Sequence, residues 1–122
     1  MSGKSILIID DDEISLLILQ NALEIEGYKV TITTDSFAAT ELFTQTRPDV
    51  VVLDVYMPEK DGFELIKEIR AVSTEVFIIA ISANDLSLRV IKALGANVAL
   101  PKDNMPDAVI DCLHEAEISV VN

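Results

Sequence analysis

The sequence predicts an α/β fold, a doubly wound parallel sheet of five strands covered by helices, and three observations lead there. Short apolar runs alternate five times with stretches of helical periodicity. The connections between them are short and marked by Gly, Pro, Asn or Asp. The third, fourth and fifth runs lack clear period-two alternation, as expected of strands buried on both faces. A chain of 122 residues suits one domain around one core, so residues 1–122 are expected to form a single unit.

Ser5-Ile6-Leu7-Ile8-Ile9 is the first strand, followed at once by Asp10-Asp11-Asp12-Glu13. Ile14 to Glu26 reads as a helix that Gly27 stops, with acids in the first turn where the helix dipole favours them. Lys29 to Thr33 is a second, weaker strand. Asp35 and Ser36 are candidate N-caps for a helix from Phe37 to Thr46, and Pro48 separates it from the next strand. That third strand, Asp49 to Asp54, is apolar and β-branched until its closing carboxylate. Pro58 and Asp61-Gly62 mark a loop, and Asp61 with Glu64 has capping-box spacing for a helix to about Arg70. Val76 to Ile81 is the fourth strand, ending at Ser82. Asn84 or Asp85 caps a helix to Leu94, with Gly95 as its stop. Asn97 to Leu100 is a fifth strand ended by Pro101-Lys102, and Asn104 and Pro106 open a last helix to about Glu117.

Composition narrows the function. Half of the residues are apolar, which argues against disorder, and no apolar run is long enough to span a bilayer. Met1-Ser2-Gly3-Lys4 leads into a strand without a signal-peptide layout, so a cytoplasmic protein is expected. Lys and Arg number 9 against 21 Asp and Glu, a formal charge of −12 that repels phosphate backbones and excludes nucleic acid as a partner of this domain. Cys112 is the single cysteine, so no intrachain disulfide forms, and its helical setting predicts a buried, inert thiol.

All carboxyl ends of a parallel sheet share one edge, and ligands bind there, near the point where strand order reverses. With the flavodoxin-like order 2-1-3-4-5, the first and third strands are neighbours at that point. Asp10, Asp11 and Asp54 then converge, with Ser82 and Lys102 on the flanking strands. Taken singly, each has an ordinary explanation: an acidic helix start, a helix cap, a solvated lysine. Their arrival together at one end of successive strands favours a site. Converging carboxylates repel one another unless a hard cation such as Mg²⁺ takes them as oxygen ligands. The metal, Lys102 and the Ser82 hydroxyl could each hold one oxygen of a transferred phosphoryl group, with Asp54 as the nucleophile.

These residues are similar to those of a known family, the receiver domains of two-component response regulators. The likeness rests on Asp10-Asp11 after the first strand, Asp54 followed by Met57-Pro58 and Asp61-Gly62, Ser82-Ala83, and Lys102. The resemblance covers essentially the whole chain. It implies that Asp54 accepts a phosphoryl group from a phosphohistidine. It implies Mg²⁺ held by Asp10, Asp11, Asp54 and the backbone carbonyl of Tyr56. Ser82 and Lys102 would bind the phosphoryl group. The implied partners are a histidine kinase or histidine phosphotransfer protein, and a downstream protein target or tethered output domain. Such a domain is a switch, catalysing only its own phosphorylation and hydrolysis, and is expected to be a monomer or weak dimer.

Two positions depart from the family pattern. Asp103 follows Lys102 where Pro, often in a cis peptide, is usual. A cis bond to a non-proline residue costs roughly 2.5–4 kcal/mol, so a trans bond is predicted. Ala99 stands three residues before Lys102, where Tyr or Phe usually reports phosphorylation to the outer face. Weaker or altered coupling to that face is therefore expected. The first helix carries two apolar stripes, Ile14-Leu17-Ile18-Ile25 and Leu16-Leu19-Leu23. The second, through Leu16, Leu19 and Leu23, is taken as the docking surface for the partner's helices. His114 is a lone histidine in the last helix and is expected to pack at the surface or an interface. Two other readings compete. One is a degenerate receiver that binds a partner without phosphorylation. The other is a phosphatase of the haloacid-dehalogenase type, for which Asp10-Asp11-Asp12 supplies an Asp-x-Asp.

Overall fold

A computed structural model describes residues 4–116. Its elements alternate strictly: β1 (Ser5–Ile9), α1 (Glu13–Ile25), β2 (Lys29–Thr33), α2 (Ala39–Thr46), β3 (Val50–Asp54), α3 (Gly62–Val72), β4 (Phe77–Ser82), α4 (Asp85–Leu94), β5 (Val98–Pro101) and α5 (Asp107–Glu115). All strand pairs are parallel, in the order β2-β1-β3-β4-β5. The flavodoxin-like order is therefore observed, and β1 lies beside β3 where the strand order reverses.

The sheet separates two apolar layers. On one side Leu7, Ile9, Val51, Leu53, Ile78 and Ala80 pack against α2, α3 and α4. On the other, Ile6, Ile8, Val50, Val52, Ile79 and Ile81 pack against α1 and α5. Every residue of β3 is buried, which is why its sequence shows no alternation. Burying these β-branched runs supplies the main stabilisation, at about 25 cal/mol for each Å² of apolar surface removed from water.

Helix α1 overturns one expectation. Leu16, Leu19 and Leu23 are buried, at 2%, 7% and 0% exposure, and form the face that α1 lays on the sheet. They are core residues and cannot receive a partner. The other stripe faces out: Ile14 is 70% exposed, Leu17 47%, Ile18 53% and Ile25 74%. Both stripes are apolar, so periodicity alone gave no means of telling the inward one.

Helix α2 starts at Ala39, later than expected from Phe37. The Asp35 carboxylate accepts from the backbone N–H groups of Phe37 and Ala38, which makes a turn before the helix, and the N-cap Ala38 has no side-chain cap. Asp12, Asp61 and Asn84 do cap α1, α3 and α4, accepting from the N–H groups of Ile14, Glu64 and Leu86. The cis peptide among the described residues is Met105-Pro106, and Lys102-Asp103 is trans, as predicted. The expected end of the last helix near Glu117 lies outside the described residues. Cys112 is buried, and burial pushes its thiol pKa up, as an inert core thiol requires.

Candidate functional site

The strand ends bring the expected residues to one edge. The Asp10 N–H donates to the Thr33 carbonyl at 3.2 Å, continuing the β1–β2 ladder one residue past β1. The next turn of chain is set locally: the Asp12 N–H donates to Asp10 Oδ1 at 2.9 Å. Asp54 closes β3 in register with Ile81, and the following Val55 N–H donates to the Ile81 carbonyl at 2.9 Å. The Lys102 N–H donates to the Ser82 carbonyl at 3.1 Å, which carries the β4–β5 pairing to the edge.

One carboxylate oxygen from each of Asp10, Asp11 and Asp54 lies within 4.8 Å of the others. Asp54 is 5% exposed, and the Lys102 ammonium donates to its Oδ2 at 3.2 Å. Three carboxylates thus meet one cation. Burial, together with the Asp54 charge, pushes the Asp10 pKa up to about 6, against an opposing hydrogen bond from Asp12. Burial works against the Lys102 ammonium, yet Asp54, with smaller help from Asp10 and Asp11, holds its pKa above the ordinary value. The donors are all hard oxygens with an excess of negative charge, a set that fits Mg²⁺.

Other expected residues sit differently. Ser82 is fully buried, and its hydroxyl is shared with the backbone of Asn84, accepting from the N–H at 3.0 Å and donating to the carbonyl at 3.3 Å. Asp12 is occupied as a cap: it accepts from Ser15 Oγ at 2.6 Å and from the Ile14 N–H at 3.3 Å, and lies outside the carboxylate group. That removes the second acid of an Asp-x-Asp pair from the site. Tyr56 turns its side chain away along α4, where its hydroxyl hydrogen-bonds to that of Ser87. His114 is exposed at the surface, 3.5 Å from Glu26.

The loop after Asp54 is braced by Gly62, which the sequence marked, and by Lys60, which it did not. Gly62 lies so close to β3 that an added Cβ would stand 2.7 Å from Val55 Cα. Its N–H donates to the Val55 carbonyl at 2.7 Å. Lys60, only 9% exposed, reaches Glu68 at 2.7 Å, and Glu68 also accepts from Thr40 at 2.7 Å. No local pattern marks Lys60, because it meets Glu68 of α3 and the ring of Phe37, which precedes α2.

An acid cluster and a lysine thus meet at the crevice of a doubly wound parallel sheet. The chain belongs to the response regulator receiver domain family, whose family model matches residues 6–114. Receiver domains are signalling domains of two-component systems rather than enzymes acting on a separate substrate. The family uses Mg²⁺ at an acidic pocket and works with histidine kinases and output domains. The chain is 36% identical over 99 residues to the response regulator MprA of Mycobacterium sp. (strain KMS), a match covering 80% of this chain and 43% of that protein. It therefore spans less than half of that relative's length. It is 33% identical over 116 residues to the chemotaxis protein CheY of Thermotoga maritima, covering 93% of this chain and 97% of that one. The response regulator TrrA of Thermotoga maritima, solved in complex with Mg(2+)-BeF, superposes with a TM-score of 0.84 at 26% identity, over 92% of this chain and 97% of that one.

Proposed function

We propose that residues 1–122 form one receiver unit in which Asp54 is the phosphoacceptor. The observation that carries this is the buried Asp54 carboxylate, with Lys102 at 3.2 Å and oxygens of Asp10 and Asp11 within 4.8 Å. An Asp54 oxygen attacks the phosphorus of a phosphohistidine. The P–O bond forms as the P–N bond breaks, the donor imidazole leaves, and Asp54 becomes an acyl phosphate. Mg²⁺ held by Asp10, Asp11, Asp54 and the Tyr56 backbone carbonyl would supply positive charge to the phosphoryl oxygens. Lys102 binds another of those oxygens, and the Ser82 hydroxyl leaves Asn84 to meet a third. Later attack by water on the acyl phosphate returns Asp54 and inorganic phosphate, which limits the signal's lifetime.

The donor is a histidine kinase or histidine phosphotransfer protein. Its helices dock on the exposed stripe Ile14, Leu17 and Ile18 rather than on Leu16, Leu19 and Leu23. Phosphorylation then changes affinity for a downstream protein or an attached output domain. The same reading carries a cytoplasmic location, where ATP-charged kinases work. Among the described residues no helix is long and apolar enough to cross a membrane. The intact Asp10, Asp11, Asp54 and Lys102 set argues against a degenerate receiver, and the capping role of Asp12 argues against a phosphatase of the haloacid-dehalogenase type.

Intact mass after incubation with acetyl phosphate and Mg²⁺ tests the reading. Wild type should gain one hydroxylamine-labile phosphoryl group and Asp54→Asn none. An equal gain in Asp54→Asn, or no gain from either acetyl phosphate or phosphohistidine donors, overturns it.

A further inference from the structure

Two contacts run from the site to the N-terminal end of α4. Ser82 reaches Asn84, the N-cap, through both backbone groups of that residue. Tyr56, two residues beyond Asp54, reaches Ser87 through their hydroxyls, either of which can donate. The Tyr56 ring also meets Phe63 edge-on, at 6.2 Å between centroids and 79° between planes. Ser87 is only 6% exposed, whereas its helix neighbours Leu86 and Val90 are 83% and 51% exposed. A buried hydroxyl needs a partner, and Tyr56 provides one across 31 residues of sequence. No aromatic ring on β5 links the site to α4: Ala99 only packs against the core layer that contains Ile91 of α4.

We propose that Ser87 is a positioning residue of the phosphoacceptor site: through its hydroxyl pair with Tyr56 it ties α4 to the loop that follows Asp54, so that occupation of the site and the placement of α4 bias each other. This rests on the phosphoacceptor reading and adds the route by which that site is regulated. A shift of the loop when Asp54 is loaded pulls on Ser87, and Ser87 carries Leu86 and Val90 with it. Linkage makes the coupling reciprocal, so a partner that holds α4 changes the affinity of the site by the same factor.

Beryllofluoride with Mg²⁺ is the probe, read by amide NMR spectra and by its binding affinity. The proteins are wild type, Ser87→Ala, Tyr56→Phe and Ser87→Thr, which keeps the hydroxyl. In wild type and Ser87→Thr the amides of Leu86 to Val90 should move with those of Asp11 and Val55. In Ser87→Ala and Tyr56→Phe the site amides should still move, the α4 amides should not, and affinity should change by about fivefold or more, the low end of ordinary coupling between sites. An unchanged α4 response in both hydroxyl-deleted variants overturns the proposal and leaves Ser87 a packing residue, as does a Ser87→Thr variant that behaves like Ser87→Ala. Failure of wild type itself to bind beryllofluoride overturns the phosphoacceptor reading, and this proposal with it.

Discussion

At the carboxyl edge of the sheet three carboxylates face one ammonium, while at the amino edge one guanidinium faces only acceptors. Arg70 of α3 donates from Nε to the Gly95 carbonyl at 2.8 Å, from Nη1 to the carbonyls of Val76 at 2.8 Å and Ser73 at 3.2 Å, and from Nη2 to Asn97 Oδ1 at 2.8 Å. Asn97 Oδ1 also accepts the Ile78 N–H at 2.8 Å. The amino edge is completed within the chain and joins α3, α4, β4 and the start of β5. The carboxyl edge gathers three carboxylates on one ammonium, and burial, with a smaller push from the Asp54 charge, raises the pKa of Asp10 there. Completion inside the chain suits an edge that only holds the fold. Incompletion suits an edge that must bind something from outside.

Substitutions at the two edges should therefore act differently. The largest effect belongs to the amino edge. Arg70→Ala strands several acceptors and should lower stability by about 2–4 kcal/mol in urea unfolding, with the acid cluster untouched. A loss under 1 kcal/mol would mean that water replaces the clasp. Next, Gly62→Ala forces a Cβ against the β3 backbone and should cost about 1–3 kcal/mol while also displacing the loop after Asp54. Phosphorylation by acetyl phosphate should fall further in Gly62→Ala than in Arg70→Ala, because only Gly62 sits beside the site.

A smaller effect follows pH. The Asp10 carboxyl has its pKa raised in the folded chain from 3.8 to about 6. The folded state therefore holds this proton more tightly than the unfolded state. The cost of the buried charge is absent below the unfolded pKa, grows as pH rises through the window between the two values, and is complete above the folded one. Metal-free wild type should lose stability across that window relative to Asp10→Asn, and its Mg²⁺ affinity should rise as the proton is lost. Parallel pH curves for the two proteins would contradict the unbalanced edge. The smallest effect belongs to the outer stripe of α1. Leu17→Ser or Ile18→Ser should change stability by under about 0.5 kcal/mol, yet slow phosphotransfer from a histidine donor without slowing that from acetyl phosphate. Equal slowing with both donors would remove the docking role.

Sequence was informative where chemistry is local. Apolar runs with Pro and Gly between them marked the strands, and the residues after those runs pointed to Asp10, Asp11, Asp54 and Lys102, which the structure brings together at one edge of the sheet. It was misleading on α1, where two apolar stripes lie on one helix and only the sheet decides which turns inward. The start of α2 was missed because Asp35 satisfies a turn with the same carboxylate that would have capped a helix. Lys60 with Glu68, Arg70 with Asn97 and Tyr56 with Ser87 were not legible, since each pair is joined by packing between separate elements.

The outward stripe of α1 should also affect how copies of the chain behave towards one another. Ile14, Leu17, Ile18 and Ile25 stand exposed on a molecule of formal charge −12. Mutual repulsion reaches about 30 Å at 0.01 M salt and about 3 Å at 1 M, so added electrolyte removes the barrier while leaving the apolar strip in place. Static light scattering should accordingly give a positive second virial coefficient in dilute buffer that turns negative in concentrated salt, and replacing Ile14 and Ile25 with Ser should keep it positive throughout. On this account the net charge of the chain acts as a colloidal brake on contact between exposed helix stripes.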